Sequence, residues 1–149
     1  MQAALHLALD AEGASRTVKE LARALDVPAT YLTKVLQPLT HAGLLRAVRG
    51  PGGGVQLAYP ADEMSLWDVL QAVEPAGAFD RCMLGLEKCG ETEPCALHES
   101  WAPVKQRMVE MLRAHSLWEM ANRASARGHI GGMGARDELP RRNGGRGKE

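Results

Sequence analysis

Apolar positions along the first sixty residues recur three and four apart, then two apart. That change of period marks out the elements. "MQAALHLALDAEG" puts Leu5, Ala8 and Leu9 on one face of a short helix that Gly13 ends. It lacks an N-cap and starts already apolar, so a fuller form is expected to begin upstream. In "TVKELARALDVPATYLTKVLQPLTHAGLL", Val18, Leu21, Ala22 and Leu25 form one stripe, and Thr17 with Glu20 three residues on forms a capping box. Asp26 and Val27 break this helix, and Pro28 suits the first position of the next. There Leu32, Val35, Leu36 and Leu39 face inward, while Thr30, Tyr31, Thr33, Lys34 and Gln37 face outward. Gly43 ends the helix. Pro38 removes one N–H and frees the Lys34 carbonyl, which predicts a small kink.

Two short helices around a tight turn, the second with a polar outer face, make a helix-turn-helix pattern. Any small helical hairpin could share it. The next stretch, "LLRAVRGPGGGVQLAYP", sharpens the reading. Leu45–Val48 and Val55–Tyr59 alternate like strands, and Gly50-Pro51-Gly52-Gly53-Gly54 joins them. Taken alone it is a hairpin whose glycines supply positive φ. After a helix-turn-helix it is a basic-edged wing. The expectation is a mainly α fold with a small β-hairpin: a winged helix-turn-helix domain over 1–60 that binds double-stranded DNA. Lys34 and Gln37 are the candidates for base edges, Thr30 and Tyr31 for phosphates, with Thr33 on the same face. Arg49 is placed to reach the adjacent minor groove, with Gly50 and Gly52 allowing close backbone approach.

"SLWDVLQAVE", in a connecting segment over 61–79, is a further amphipathic helix. Ser65 is its N-cap, and Leu66, Val69, Leu70 and Val73 form its buried side. Residues 75–98 read as irregular. From Glu99 to about Ala124 runs a long helix on which Trp101, Val104, Met108, Met111, Leu112 and Leu117 recur near heptad spacing. It serves either packing within its own domain or dimerisation. The tail, 125–149, is Gly/Arg-rich and expected to be disordered.

The formal net charge of zero hides an uneven distribution. Residues 1–59 carry six Lys/Arg against four Asp/Glu, residues 60–100 two against nine, and residues 101–149 ten against five. An acidic middle between basic ends argues for surfaces with different roles. No secretory signal or membrane span is read, so a cytoplasmic protein with reduced thiols is expected.

The acidic middle also holds every cysteine. In "RCMLGLEKCGETEPCALHESW" the order is Cys82, six residues, Cys89, five residues, Cys95, two residues, His98. An odd count excludes a complete set of internal disulfides. A catalytic cysteine needs one nucleophile with a base rather than three thiols in a loop. Three thiolates and an imidazole fill four ligand positions around a metal. Structural zinc accepts that set but usually uses two close pairs, whereas the long gaps suit a wider iron–sulfur cluster. Unmetallated thiols remain the third possibility, and His98 alone could be a helix-start hydrogen-bonding residue.

With this loop, "YLTKVLQPLTHAGLLRAVRGPGGGVQLA" resembles the Rrf-type (IscR/NsrR) family of winged-helix iron–sulfur transcriptional regulators, over residues 2 to about 122. The resemblance implies a homodimeric repressor or activator, read here as a repressor, that is not an enzyme and takes no small-molecule substrate. It implies an iron–sulfur cluster, 2Fe–2S in preference to 4Fe–4S, responding to cluster status, redox state or nitric oxide. It also implies a near-palindromic operator and no membrane partner. Cys82, Cys89 and Cys95 match the family's cluster cysteines, and His98 matches the fourth ligand of the IscR branch. The loop over 80–98 is then the cluster-binding loop and the helix over 99–124 the dimerisation helix. The first cysteine gap is one residue longer than in the IscR branch. The NsrR branch uses an N-terminal carboxylate instead, which makes Asp10 or Glu12 the alternative ligand. Two other readings are a winged-helix regulator with a structural zinc or cluster-free redox-thiol loop, and an electron-transfer protein, which would need no wing.

Overall fold

The computed structural model describes residues 1–10, 14–50, 53–74, 77–85 and 94–130, excepting the side chain of Asp80. Helices α1 (Gln2–Ala8), α2 (Val18–Leu25) and α3 (Ala29–His41) are followed by strands β1 (Leu45–Val48) and β2 (Gly54–Leu57). Then come α4 (Leu66–Val73), a 3-10 turn (Ala78–Asp80), α5 (His98–Ala114) and α6 (Leu117–Ala126). The hairpin is antiparallel, with Leu45 opposite Leu57 and Val48 opposite Gly54.

The helix-turn-helix forms from local chemistry. The Thr17 hydroxyl accepts from the Glu20 amide, and the Thr17 amide and hydroxyl both donate to the Glu20 carboxylate. Those hydrogen bonds, the side-chain one first, hold the Glu20 carboxyl below the usual carboxylate range. Asp26 ends α2 in the left-handed region at φ 55°, and the Val27 N–H returns to the Ala22 carbonyl. Pro28 is the N-cap of α3 rather than its first residue. The helix continues through Pro38 and buries Leu32, Leu36 and Leu39.

Larger expectations change at the C-terminal end of the chain and around α1. The stripe expected over 99–124 is two helices, not one. At Ser116 the backbone is extended and the side chain accepts from the Glu119 amide, starting α6. The first amides of α6 are also claimed from outside: Leu117 N–H donates to the Met64 carbonyl at 2.7 Å and Trp118 N–H to Ala61 at 3.0 Å. Helix α6 then packs on α1, with Leu117 and Ala121 fully buried. That covers α1 on a broader side than its Leu5–Leu9 face. Ala3, Ala4, His6, Leu7 and Ala8 are buried, while Leu5 and Leu9 are only partly so. Disorder does not begin at 125. Helix α6 reaches Ala126, and Ile130 is buried in the core at 7% exposure. The rest of the expected tail, 131–149, lies outside the described residues, as does Gly13.

Helix α4 starts as expected at Ser65, whose hydroxyl accepts from the Asp68 amide. Its buried side is Trp67 and Val69; Leu66 is partly buried and Val73 is exposed. The indole is drawn in because the Phe79 ring lies 4.8 Å from it and the Arg113 guanidinium 5.4 Å above it.

Candidate DNA interface and thiol site

The outer face of α3 is as the pattern requires. Thr30, Tyr31, Thr33, Lys34 and Gln37 are all exposed, Tyr31 at 58%. Lys34 and Gln37 stand three apart, on one face. The Thr33 hydroxyl donates to the Ala29 carbonyl at 2.9 Å, so only its acceptor capacity is left for a partner.

The wing is held by a residue that sequence reasoning passed over. Arg16, just before the α2 cap, runs antiparallel to β2. Its N–H donates to the Val55 carbonyl at 2.9 Å, and the Val55 N–H returns to the Arg16 carbonyl at 2.8 Å. Its guanidinium is buried in an ion pair with Asp10. An isolated basic residue in a loop carries no sequence signal for this. Asp10, raised above as an alternative ligand, is thus engaged by Arg16; Glu12 lies outside the described residues.

The wing glycines divide into two kinds. Gly50 is exposed with φ 103° and open space where a Cβ would point. Gly53 and Gly54 have no room for a Cβ: it would collide with the Val48 carbonyl in one case and the Arg16 carbonyl in the other. Positive φ accounts for the first, close backbone approach for the other two. Arg49 is exposed beside Gly50, at the end of β1. Gly52 lies outside the described residues.

On the other side of α4, the chain leaves the 3-10 turn and reaches Cys82, which is buried at 5% exposure. A turn closes behind it, with Gly85 N–H donating to the Cys82 carbonyl at 2.9 Å and Gly85 at φ 76°. Cys95 is half-buried, and its sulfur is 3.5 Å from that of Cys82. His98 is the first residue of α5, with its N–H on the Cys95 carbonyl at 2.9 Å. Cys89 lies outside the described residues. Among the described residues no group of three or more His, Cys, Asp or Glu is gathered for a metal ion. Two soft sulfur donors are therefore brought together, one turn from an imidazole.

A capped helix pair, a second helix with an exposed polar face and a pinned wing beside it define a winged-helix DNA-binding protein. Residues 1–123 match the Rrf2 family, described as "Iron-dependent Transcriptional regulator". The chain belongs to that family of DNA-binding transcriptional regulators, which is not a family of enzymes. It is 36% identical to Protein aau3 of Rhizobium meliloti over 114 residues, 76% of this chain and 73% of that one. It is 30% identical to the HTH-type transcriptional regulator IscR of Aliivibrio salmonicida, over 79% of this chain and 70% of that one. Its fold is shared with CymR, the global cysteine regulator of B. subtilis, at a TM-score of 0.68 and 24% identity, covering 80% and 88% of the two chains. No helix among the described residues is long and apolar enough to cross a membrane.

Proposed function

We infer that this chain is a dimeric, operator-binding regulator, acting as a repressor, whose DNA affinity is set by an iron–sulfur cluster at Cys82, Cys89, Cys95 and His98. The observation that carries the reading is the 3.5 Å approach of the Cys82 and Cys95 sulfurs beside the helix that begins at His98. The donor set fits the group: thiolates are the usual anchors of iron in such clusters, and His can replace Cys. The similarity to an IscR protein and the iron-dependent description of the family support the same reading. A bound 2Fe–2S cluster, preferred here over 4Fe–4S, supplies one-electron redox chemistry and reactivity toward nitric oxide. The protein's part is to hold it. Cys82 is fixed from the α4 side, while Cys95 and His98 are fixed at the start of α5.

On the DNA side, α3 lies in the major groove with Lys34 and Gln37 at base edges and Thr30 and Tyr31 toward phosphates, Thr33 lying on the same face. Arg49, with Gly50 and Gly52, meets the adjacent minor groove. Dimerisation through α5 is supported by its exposure. None of its 17 residues is buried, and Val104 and Met111 are 54% and 53% exposed on an apolar stripe. A twofold dimer reads a near-palindrome.

Purification without oxygen, followed by iron, sulfide and zinc analysis, tests the cluster. Iron and acid-labile sulfide in equal amounts are expected. Stoichiometric zinc without sulfide replaces the sensor by a structural site, and thiols without metal replace it by a redox-thiol loop.

A further inference from the structure

We propose that Cys82 and Cys95 are a peroxide-sensitive thiol pair that closes to a disulfide when the loop holds no metal. Their sulfurs are already 3.5 Å apart, and no disulfide joins them. A bond requires about 2.05 Å, an approach of roughly 1.5 Å. The two thiols come from separately anchored elements. Cys82 follows the 3-10 turn whose Phe79 packs on Trp67, and Cys95 sits one turn ahead of His98 on α5. Twelve residues, 83–94, close the loop between them.

Exposure assigns the roles. Cys95 is half-buried and meets peroxide first, while Cys82 is buried. The Cys95 thiolate attacks one oxygen of hydrogen peroxide. The O–O bond breaks, and the departing hydroxide takes a proton and leaves as water. Cys95 is then a sulfenic acid. The Cys82 sulfur attacks the Cys95 sulfur, the S–O bond breaks, and the hydroxide leaves as a second water with the Cys82 proton. Two thiols lose two electrons and one peroxide is reduced to two waters. The pairing rests on the geometry alone. One consequence rests on the cluster reading above: the oxidised chain lacks two of its iron-binding thiolates and does not load a cluster until it is reduced.

The test uses the full chain, stripped of metal by a chelator, reduced, desalted and treated with a slight excess of hydrogen peroxide. Thiols are alkylated under denaturing conditions. Trypsin and a glutamate-specific protease then separate the three cysteines, because Lys88 and Glu91 flank Cys89. The expected product has lost the mass of two hydrogens, links the Cys82 and Cys95 peptides, and carries alkylated Cys89. Cys89→Ser should form the same bond at the wild-type rate. Cys82→Ser should stop at a Cys95 sulfenic acid that dimedone captures. A bond containing Cys89 in most molecules overturns the proposal, as does sulfinic acid without any linked peptide. Iron uptake measured on the same reduced protein separates the two readings. A chain that forms the Cys82–Cys95 bond but never takes up iron and sulfide sinks the cluster alone. One that loads iron but forms its bond through Cys89 sinks the pair alone.

Discussion

Gly54→Ala tests how the wing is built. An added methyl would overlap the Arg16 carbonyl and lie 2.7 Å from the Thr17 nitrogen. Both are backbone atoms, so no side-chain rotation relieves the clash, and the Arg16 segment must move off β2. Two hydrogen bonds go with it, Arg16 N–H to the Val55 carbonyl and Val55 N–H to the Arg16 carbonyl. Each is worth about 1 kcal/mol net, and more where a buried group is left unsatisfied. Val55 is buried, so the total is about 2–4 kcal/mol. That is a large share of the roughly 5–15 kcal/mol that holds a domain together. In urea the midpoint should fall by about 1–2 M at the slope usual for small proteins. Gly50→Ala is the control: it meets open space and suffers only its φ of 103°, costing about 1–2 kcal/mol. Chemical denaturation followed by circular dichroism reads both. If Gly54→Ala unfolds within about 0.5 kcal/mol of the parent, or Gly50→Ala costs more, the close approach of residue 16 to the wing is not what the glycine serves.

Lys34→Ala should weaken operator binding by about 1–3 kcal/mol if the ammonium reads a base; titration on matched and scrambled duplexes checks it, and an equal loss on both moves Lys34 to a phosphate. Met111→Asp should convert a dimer to a monomer in sedimentation at micromolar concentration, since it puts a charge on the exposed stripe of α5. Thr17→Ala removes a helix cap and should cost about 1 kcal/mol at neutral pH. Because the Glu20 carboxyl is held below its ordinary value by Thr17, its contribution is present above the unfolded carboxylate value and lost as pH falls through the folded one. The difference between parent and Thr17→Ala melting temperatures should therefore shrink on acidification, and a difference independent of pH would refute the capping-box account.

The helix-turn-helix was legible because its determinants are local. Thr17 and Glu20 are three residues apart, Leu32, Leu36 and Leu39 repeat at helical spacing, and Asp26 takes the left-handed turn between. The division of α5 from α6 was not, because the apolar stripe keeps a spacing of three and four from Trp101 to Leu112 and slips only at Leu117. What stops the helix is partly tertiary: the carbonyls of Met64 and Ala61 claim the first amides of α6. One local signal existed, the Ser116-x-x-Glu119 capping pattern. Spacing gathered the cysteines into one set but could not say that Cys82 and Cys95 meet. Cys82 and Cys95 are the most distant pair along the chain, and they are brought together by the return from the 3-10 turn to the start of α5.

Trp67 links the segments before Cys82 and after His98 to α4. It is buried on α4, which packs against α3, the helix carrying Lys34 and Gln37. The Phe79 ring against it belongs to the turn that leads into Cys82, and the Arg113 guanidinium over it belongs to the last turn of α5, which starts at His98 beside Cys95. Both anchors of the thiol pair therefore bear on one indole, three residues apart in one case and a helix length away in the other. Helix α4 is also tied at its N-terminus to the junction between α5 and α6, where the Leu66 N–H donates to the His115 carbonyl at 3.0 Å. A close-packed interior does not absorb such displacements smoothly. A change in the distance between Cys82 and the start of α5 would act on α4 through the Phe79 and Arg113 contacts of Trp67. A packed route from the thiols to α3 is thus Phe79, Trp67, α4, α3.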